Sequence, residues 1–282
     1  MTKKKEKDKD VEKNPELHGL LSELREKGIT EQNKALRYAY FHRPDVYKRY
    51  IATFTQFSTP NADVPIYPTG ISCLDRVVGG GLRLGTSYEF FGEYGSGKTQ
   101  LVLTIAKVMA EKGFRVVYLY TEGKPPVIRI KHVVGNSNNF AFAQVYGPDH
   151  FKILLRSETA INSDVVIIDS ITGIFRRIFK GTENIAEYKS QERELLRDLF
   201  AYIDTDGIVI MTNQVYSGVM PGIGKVPFGG HILYHFSNYR IKITRKDERE
   251  NSVIAELYAE DCPDVPPISC RIKITNDGVT DA

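Results

Sequence analysis

From residue 66 to the end of the chain, apolar residues fall in short β-branched runs separated by segments of helical period, whereas residues 14–56 show the helical period alone. The runs are 87–91, 115–120, 164–168, 207–212, 238–244, 253–258 and 269–275. The first four are nearly continuous apolar stretches, as strands covered on both faces should be, and 100–112 and 186–202 are the longest helical segments between them. Strands alternating with helices predict an α/β fold with a mostly parallel twisted sheet flanked by helices, and the strand-rich C-terminal part predicts an antiparallel extension at one edge. No internal repeat is present.

In the N-terminal part, Asn14 and Pro15 suit the cap and first position of a helix that places Leu17, Leu20, Leu21 and Leu24 on one face. Gly28 is a natural stop, Thr30 a candidate cap for a second helix running through Tyr40, and Pro44 the opening of a third. Three prolines between Phe57 and Pro68 mark an extended linker. The expected organisation is a charged tail at 1–13, a small helical region at 14–56, a linker at 57–65 and a core at 66–282.

Composition narrows the function classes. At 282 residues and 41% hydrophobic, the chain is too apolar to be disordered, and a net charge of +3 is too small for a histone-like DNA coat. Residues 1–13 hold six lysines and four acids, leaving +1 for the other 269 residues, and such a tail reads as a solvated arm. Cys73, Cys262 and Cys270 lack metal-ligand spacing, and the odd count predicts reduced thiols in an intracellular protein. No apolar run has the length of a signal peptide or a membrane span, so no membrane role is expected.

The chemistry starts at Gly92, Glu93, Tyr94, Gly95, Ser96, Gly97, Lys98 and Thr99, which match G-x-x-x-x-G-K-[ST] between a strand and a helix that opens near Gln100. Glycines let backbone N–H groups turn around a phosphate, the helix N-terminus adds positive charge, Lys98 neutralises the β/γ-phosphates and Thr99 offers a hydroxyl to Mg²⁺. Asp169, delivered by the apolar run Val165-Val-Ile-Ile168, is a second metal ligand; alone it would serve as well as a helix cap. Glu122, just past another strand, is the candidate for positioning or deprotonating water, the alternative being a solvated loop glutamate. Asn213-Gln214, at a further strand tip, suit a γ-phosphate sensor, or equally a plain turn.

In order and spacing, seven segments resemble the strand-exchange recombinases, archaeal RadA and its eukaryotic relatives within the RecA-like ATPases. They begin at Pro68-Thr-Gly-Ile-Ser-Cys-Leu-Asp and Glu89-Phe-Phe-Gly-Glu-Tyr-Gly-Ser-Gly-Lys-Thr-Gln, continue through Tyr120-Thr-Glu-Gly, Asp169-Ser-Ile-Thr and Met211-Thr-Asn-Gln-Val, and end at Pro227-Phe-Gly-Gly-His and Asp261-Cys-Pro-Asp-Val-Pro. The resemblance implies a RecA-like P-loop ATPase that uses ATP and Mg²⁺, binds single-stranded and also double-stranded DNA, and acts in homologous recombination and repair. It further implies that Glu122 is catalytic, Gln214 couples the γ-phosphate to a DNA loop, and His231 senses the γ-phosphate near a subunit interface. Arg129 would pack on the adenine, while Asp261 and Pro263 would belong to a cap over a neighbour's nucleotide. DNA would meet loops at 176–185 and 215–229, through Arg176, Arg177, Phe179, Lys180 and Lys225; three cations and two aromatics in Phe175-Arg-Arg-Ile-Phe-Lys180 suit phosphate contact and base stacking.

The departures bear on assembly. Tyr120 stands where the family has Asp, Pro126 where it has Arg, and residues 14–54 lack the Gly-x-Gly of its helical hairpin domain. The linker lacks the F-x-x-A subunit-gripping motif; the only match, Phe140-Ala-Phe-Ala143, falls within the core and is expected to be buried. The expected partners are therefore further copies of the chain or another recombinase, with a mediator paralogue as the alternative reading and a signalling ATPase without DNA function as a third. The compartment would be the cytoplasm in an archaeon and the nucleus in a eukaryote.

Overall fold

The computed structural model describes residues 15–53, 64–178, 185–217, 225–249 and 252–282; the charged tail, Asn14 and most of the linker lie outside the described residues. Three helices come first, α1 (Pro15–Leu24), α2 (Gln32–His42) and α3 (Pro44–Thr53). Pro15 and Pro44 occupy first helical positions, where the missing N–H costs nothing, and Gly28 at φ 72° closes the turn after α1. Thr30 does not cap α2. Glu31 holds that position with no side-chain cap, its carboxylate paired instead with Lys34 at 2.9 Å.

These helices are fastened to the rest of the molecule. Leu20, Leu24, Ile29, Ala35, Ala39 and Val46 share an apolar cluster with Ile161. Beside it the fully buried Arg37 donates to the carbonyls of Ile161 (3.1 Å) and Ser163 (2.6 Å) and to the Thr205 hydroxyl (2.9 Å), its guanidinium 4.3 Å from the Tyr202 ring centre. Lys34, also buried, pairs with Asp164 at 2.8 Å.

The core opens with β1 (Ile66–Tyr67), α4 (Ser72–Val77) and β2 (Leu82–Arg83), β1 and β2 forming a small antiparallel pair. Then follow β3 (Thr86–Gly92), α5 (Lys98–Glu111), β4 (Val116–Tyr120), α6 (Val127–Val134), β5 (Phe140–Gln144), α7 (Pro148–Leu155) and α8 (Glu158–Ile161). After these come β6 (Val165–Asp169), α9 (Ile171–Ile178), α10 (Ile185–Asp204), β7 (Ile208–Ser217), β8 (Lys225–Pro227) and α11 (Gly230–Phe236). β9 (Tyr239–Arg249), β10 (Ser252–Asp261), β11 (Ser269–Thr275) and β12 (Gly278–Asp281) complete the chain.

The main sheet runs β12-β11-β10-β9-β3-β7-β6-β4-β5, parallel from β9 to β5 and antiparallel from β9 out to β12, as the pattern predicts. Strand period sorts the core into two layers. Val116, Tyr118, Val165, Ile167, Ile208 and Ile210 pack under α5, while Val117, Leu119, Val166, Ile168, Val209 and Met211 pack under α10.

Three further expectations are corrected. Phe140-Ala-Phe-Ala143 is not buried: it forms the edge strand β5, paired among the described residues only with β4, with Phe142 42% exposed. The cysteines are not all reduced, because Cys73 of α4 and Cys270 of β11, 197 residues apart, meet in a disulfide and leave Cys262 buried and free. β7 continues past residue 212, so Asn213 and Gln214 lie within a strand rather than a turn.

Candidate active site

Parallel pairing aligns the strand ends that carry the chemistry. Gly92 of β3 stands beside Gln214 of β7, and Tyr120 of β4 beside Asp169 of β6. The turn out of β3 uses Gly95 at φ 74° and Gly97 at φ 102°, conformations that strain any L side chain, and α5 begins at Lys98. Lys98 is buried, its Nζ donating to the loop's own carbonyls at Gly92 (2.9 Å) and Glu93 (2.7 Å). Burial pushes its pKa down, opposed by the charges of Asp169, Glu122 and Glu93. An ammonium held by neutral carbonyls exchanges them favourably for phosphate oxygens, since a charged acceptor makes the stronger bond.

Asp169 is buried and accepts from the Thr212 hydroxyl and, at 2.6 Å, from the Tyr118 hydroxyl. Burial pushes its carboxyl above the usual range, while the hydroxyls of Thr212, Tyr118 and Thr99 hold it down. Among the described residues no ammonium or guanidinium pairs with it. A buried carboxylate served only by hydroxyls, next to a threonine at a helix start, fits a divalent cation, which would offset the cost of burying the charge. Thr99 and Asp169 would hold Mg²⁺ there.

Glu122 is exposed, and its Oε1 accepts from Ser170 Oγ at 2.6 Å and from Gln214 Nε2 at 2.5 Å. Gln214 Oε1 in turn accepts from Arg176 Nη2 at 2.8 Å. Asn213 points the other way, into the protein. It accepts from Thr172 (2.6 Å) and donates to Glu89 (2.7 Å), whose carboxylate also pairs with Arg240 at 2.7 Å. Strand alternation would have separated the two amides, one anchoring and one facing the cleft.

Lys98, Thr99, Tyr120, Glu122, Asp169 and Gln214 line one cleft of about 400 Å³. A larger cavity of about 710 Å³ adjoins it at Pro126, walled by Val127, Ile128, Arg129 and His132. There the Arg129 guanidinium is held by Gln100 Oε1 (2.5 Å), the Thr275 carbonyl (2.9 Å) and the Asn276 carbonyl, which fixes its plane at the cavity wall.

The Rad51 family model matches residues 62–282. The chain belongs to the Rad51 family. It is also 32% identical, over 261 residues, to the DNA repair and recombination protein RadA of Metallosphaera sedula, covering 82% of this chain and 76% of that relative. Membership in this recombinase family supports a role in recombination and repair, and the RecA-like fold of the Rad51 family agrees with the sheet described above. Among the described residues no helix is long and apolar enough to cross a membrane.

The remaining expected residues of this Rad51-family chain are dispersed. His231 stands exposed at the start of α11, stacked on His235 with ring centres 6.3 Å apart, and does not line the cleft. Asp261 accepts from the Tyr234 hydroxyl at 2.6 Å, and Asp261 and Pro263 are both exposed outside this cleft. The ends of the second loop are paired as β7 and β8, which sets Lys225 opposite Ser217 and within 2.7 Å of Glu93 in the phosphate loop. The side chain of Arg177, together with Phe179 and Lys180, lies outside the described residues. Sequence reasoning missed Ser170 and Thr172, just past the end of β6, and Tyr118 and Thr212, inside β4 and β7, hydroxyl partners that no local pattern marks.

Proposed function

We propose that the chain is a DNA-dependent ATPase that binds ATP with Mg²⁺ and single-stranded DNA in homologous recombination and repair, a RadA-like recombinase. One observation carries this reading: Lys98, Thr99, Asp169, Glu122 and Gln214 line one cleft, and Gln214 is hydrogen-bonded to Arg176 at the head of the first candidate DNA loop. The loop N–H groups, the α5 N-terminus and Lys98 receive the phosphates. Mg²⁺ at Thr99 and Asp169 would neutralise charge on the phosphate oxygens. Glu122 orients a water and takes its proton, and Gln214 reports on the terminal phosphate.

The Arg129 plate offers a stacking surface to the base, in line with its place in the adjoining cavity. His231, Asp261 and Pro263 act on a neighbouring subunit's nucleotide, a role compatible with their exposure outside this chain's own cleft. Arg176, Arg177, Phe179, Lys180 and Lys225 contact DNA. The test is filter binding to a single-stranded oligonucleotide with and without ATP over a salt series. ATP-promoted affinity that falls with salt is expected, by about 0.7 log units per log unit of salt for each phosphate contact; affinity without salt dependence would sink the reading, and the signalling ATPase would stand in its place.

A second reading, a mediator that assists another recombinase's filament, is favoured by the docking of α1–α3 onto the core through Arg37 and Lys34 and by a linker without F-x-x-A. Electron microscopy with ATP and single-stranded DNA separates the two: helical filaments of this protein alone support the recombinase, rings or monomers the mediator.

A further inference from the structure

Gln214 is placed to sense a terminal phosphate, yet both ends of its amide are engaged by the protein. Its Nε2 donates to Glu122 at 2.5 Å, and its Oε1 accepts from Arg176 at 2.8 Å. Glu122 Oε1 already receives the Ser170 hydroxyl at 2.6 Å, so two donors converge on one carboxylate oxygen. Each donor held on that oxygen takes an acceptor site that an attacking water would use. The outer member of the chain, Arg176, is exposed and lies at the C-terminal part of α9, where the first candidate DNA loop begins.

We propose that Arg176 is a positioning residue that restrains ATP hydrolysis in the DNA-free protein: its guanidinium orients the Gln214 amide so that Nε2 occupies Glu122, and a nucleic-acid phosphate that takes Arg176 releases both side chains. The inference rests on the DNA-dependent ATPase reading above and deepens it by naming the contact through which DNA regulates the site. The direction follows from charge. A guanidinium gains more from a phosphate, which it meets with paired N–H groups and full opposite charge, than from one neutral amide oxygen. Once Arg176 leaves, Gln214 Oε1 keeps no other hydrogen-bond partner among the described residues, and the amide can turn toward the nucleotide while Glu122 Oε1 loses one of its two donors. Asn213 does not follow, because Thr172, Glu89 and the Phe228 carbonyl hold it, so of the two amides only Gln214 changes.

The experiment is steady-state ATP hydrolysis by the full chain with Mg²⁺, without DNA and with saturating 36-nucleotide oligo(dT), for wild type, Arg176→Ala, Arg176→Gln and Arg176→Lys. Loss of one charge-assisted restraint should raise the DNA-free kcat of the Ala and Gln variants about five- to tenfold, with KM for ATP little changed, and should erase most of the further stimulation by DNA. Arg176→Lys, which can still donate to Oε1, should return the low DNA-free rate. The Gln variant keeps an exposed polar side chain, so its result stands apart from any folding cost of alanine. A DNA-free kcat equal to or below wild type in both Ala and Gln variants overturns the relay and leaves Arg176 a DNA ligand only. A wild type that hydrolyses no ATP, or whose rate ignores DNA, overturns the DNA-dependent ATPase reading itself and the relay with it.

Discussion

The two edges of the parallel sheet use charge in opposite ways. At the amino edge, where α1–α3 dock, Arg37 and Lys34 are almost wholly buried, Arg37 satisfied by backbone carbonyls and a threonine, Lys34 by Glu31 and Asp164. Burial pushes the Arg37 guanidinium below its ordinary pKa, opposed electrostatically by Tyr202, Asp164, Asp206 and Glu31. At the carboxyl edge Lys98 rests on carbonyls of its own loop, Asp169 has hydroxyls alone, and Glu122, Gln214 and Arg176 form a chain open to solvent. A closed network is costly to open, since every buried group left behind loses its partner; an open chain changes partners for about the price of one hydrogen bond. The difference separates the edge that holds the fold from the edge proposed to bind nucleotide.

Arg37→Met should break that contrast most severely. It leaves the Ile161, Ser163 and Thr205 carbonyls without their donor, and at about 1–3 kcal/mol for each buried acceptor left unsatisfied a loss of about 3–5 kcal/mol is expected. Chemical denaturation reads it directly. A fall under 1 kcal/mol would show that α1–α3 are held by their apolar cluster and not by the cation. At the other edge Lys98→Ala should cost about 10²–10³-fold in ATP turnover, comparable to the loss of one preorganised charge at a transition state, with little change in melting temperature. Unchanged phosphate release would refute the site.

Between the two edges lies the buried pair of Glu89 and Arg240, 2.7 Å apart. Burial pushes the Glu89 carboxyl up, against Arg240 and Asn213, which hold it down. In Arg240→Met the opposing cation is gone and the carboxyl rises further. The folded state then keeps a proton that the unfolded state has released, so stability falls as pH rises from the ordinary glutamate range toward neutrality. Melts at pH 5 and pH 8 should differ more for the variant than for wild type; equal differences would mean that Glu89 is solvated in the absence of its partner.

The two edges also differ in how far they could be read from the chain. The phosphate loop is contiguous, and Asp169 follows an apolar run, so local pattern reaches both; the bounds of β11 coincide with the run at 269–275 for the same reason. β5 escaped because Phe140-Ala-Phe-Ala-Gln144 alternates large and small apolar residues at an edge that is only half covered. Arg37 escaped because a lone arginine on a helix looks solvated until the carbonyls at 161, 163 and 205 surround it. The Arg176, Gln214 and Glu122 chain joins residues 38 and 92 positions apart, and only the strand order brings them together.

The mildest test of the contrast is Lys225→Ala. Lys225 pairs with Glu93 at 2.7 Å, and both side chains are more than half exposed, so the pair resembles the open carboxyl edge and not the Arg37 joint. Lys225 holds the Glu93 carboxyl below its usual range. Exposed pairs of this kind are screened by salt and contribute little to folding, so the melting temperature should stay at the wild-type value. If DNA phosphates take Lys225 from Glu93, the variant loses about 0.7 units from the salt slope of single-strand binding, and the double variant with Arg176→Ala loses about twice that. A slope untouched by Lys225→Ala, with ATP affinity weakened instead, would assign this lysine to the nucleotide loop and leave the first loop as the principal polyanion contact at this edge.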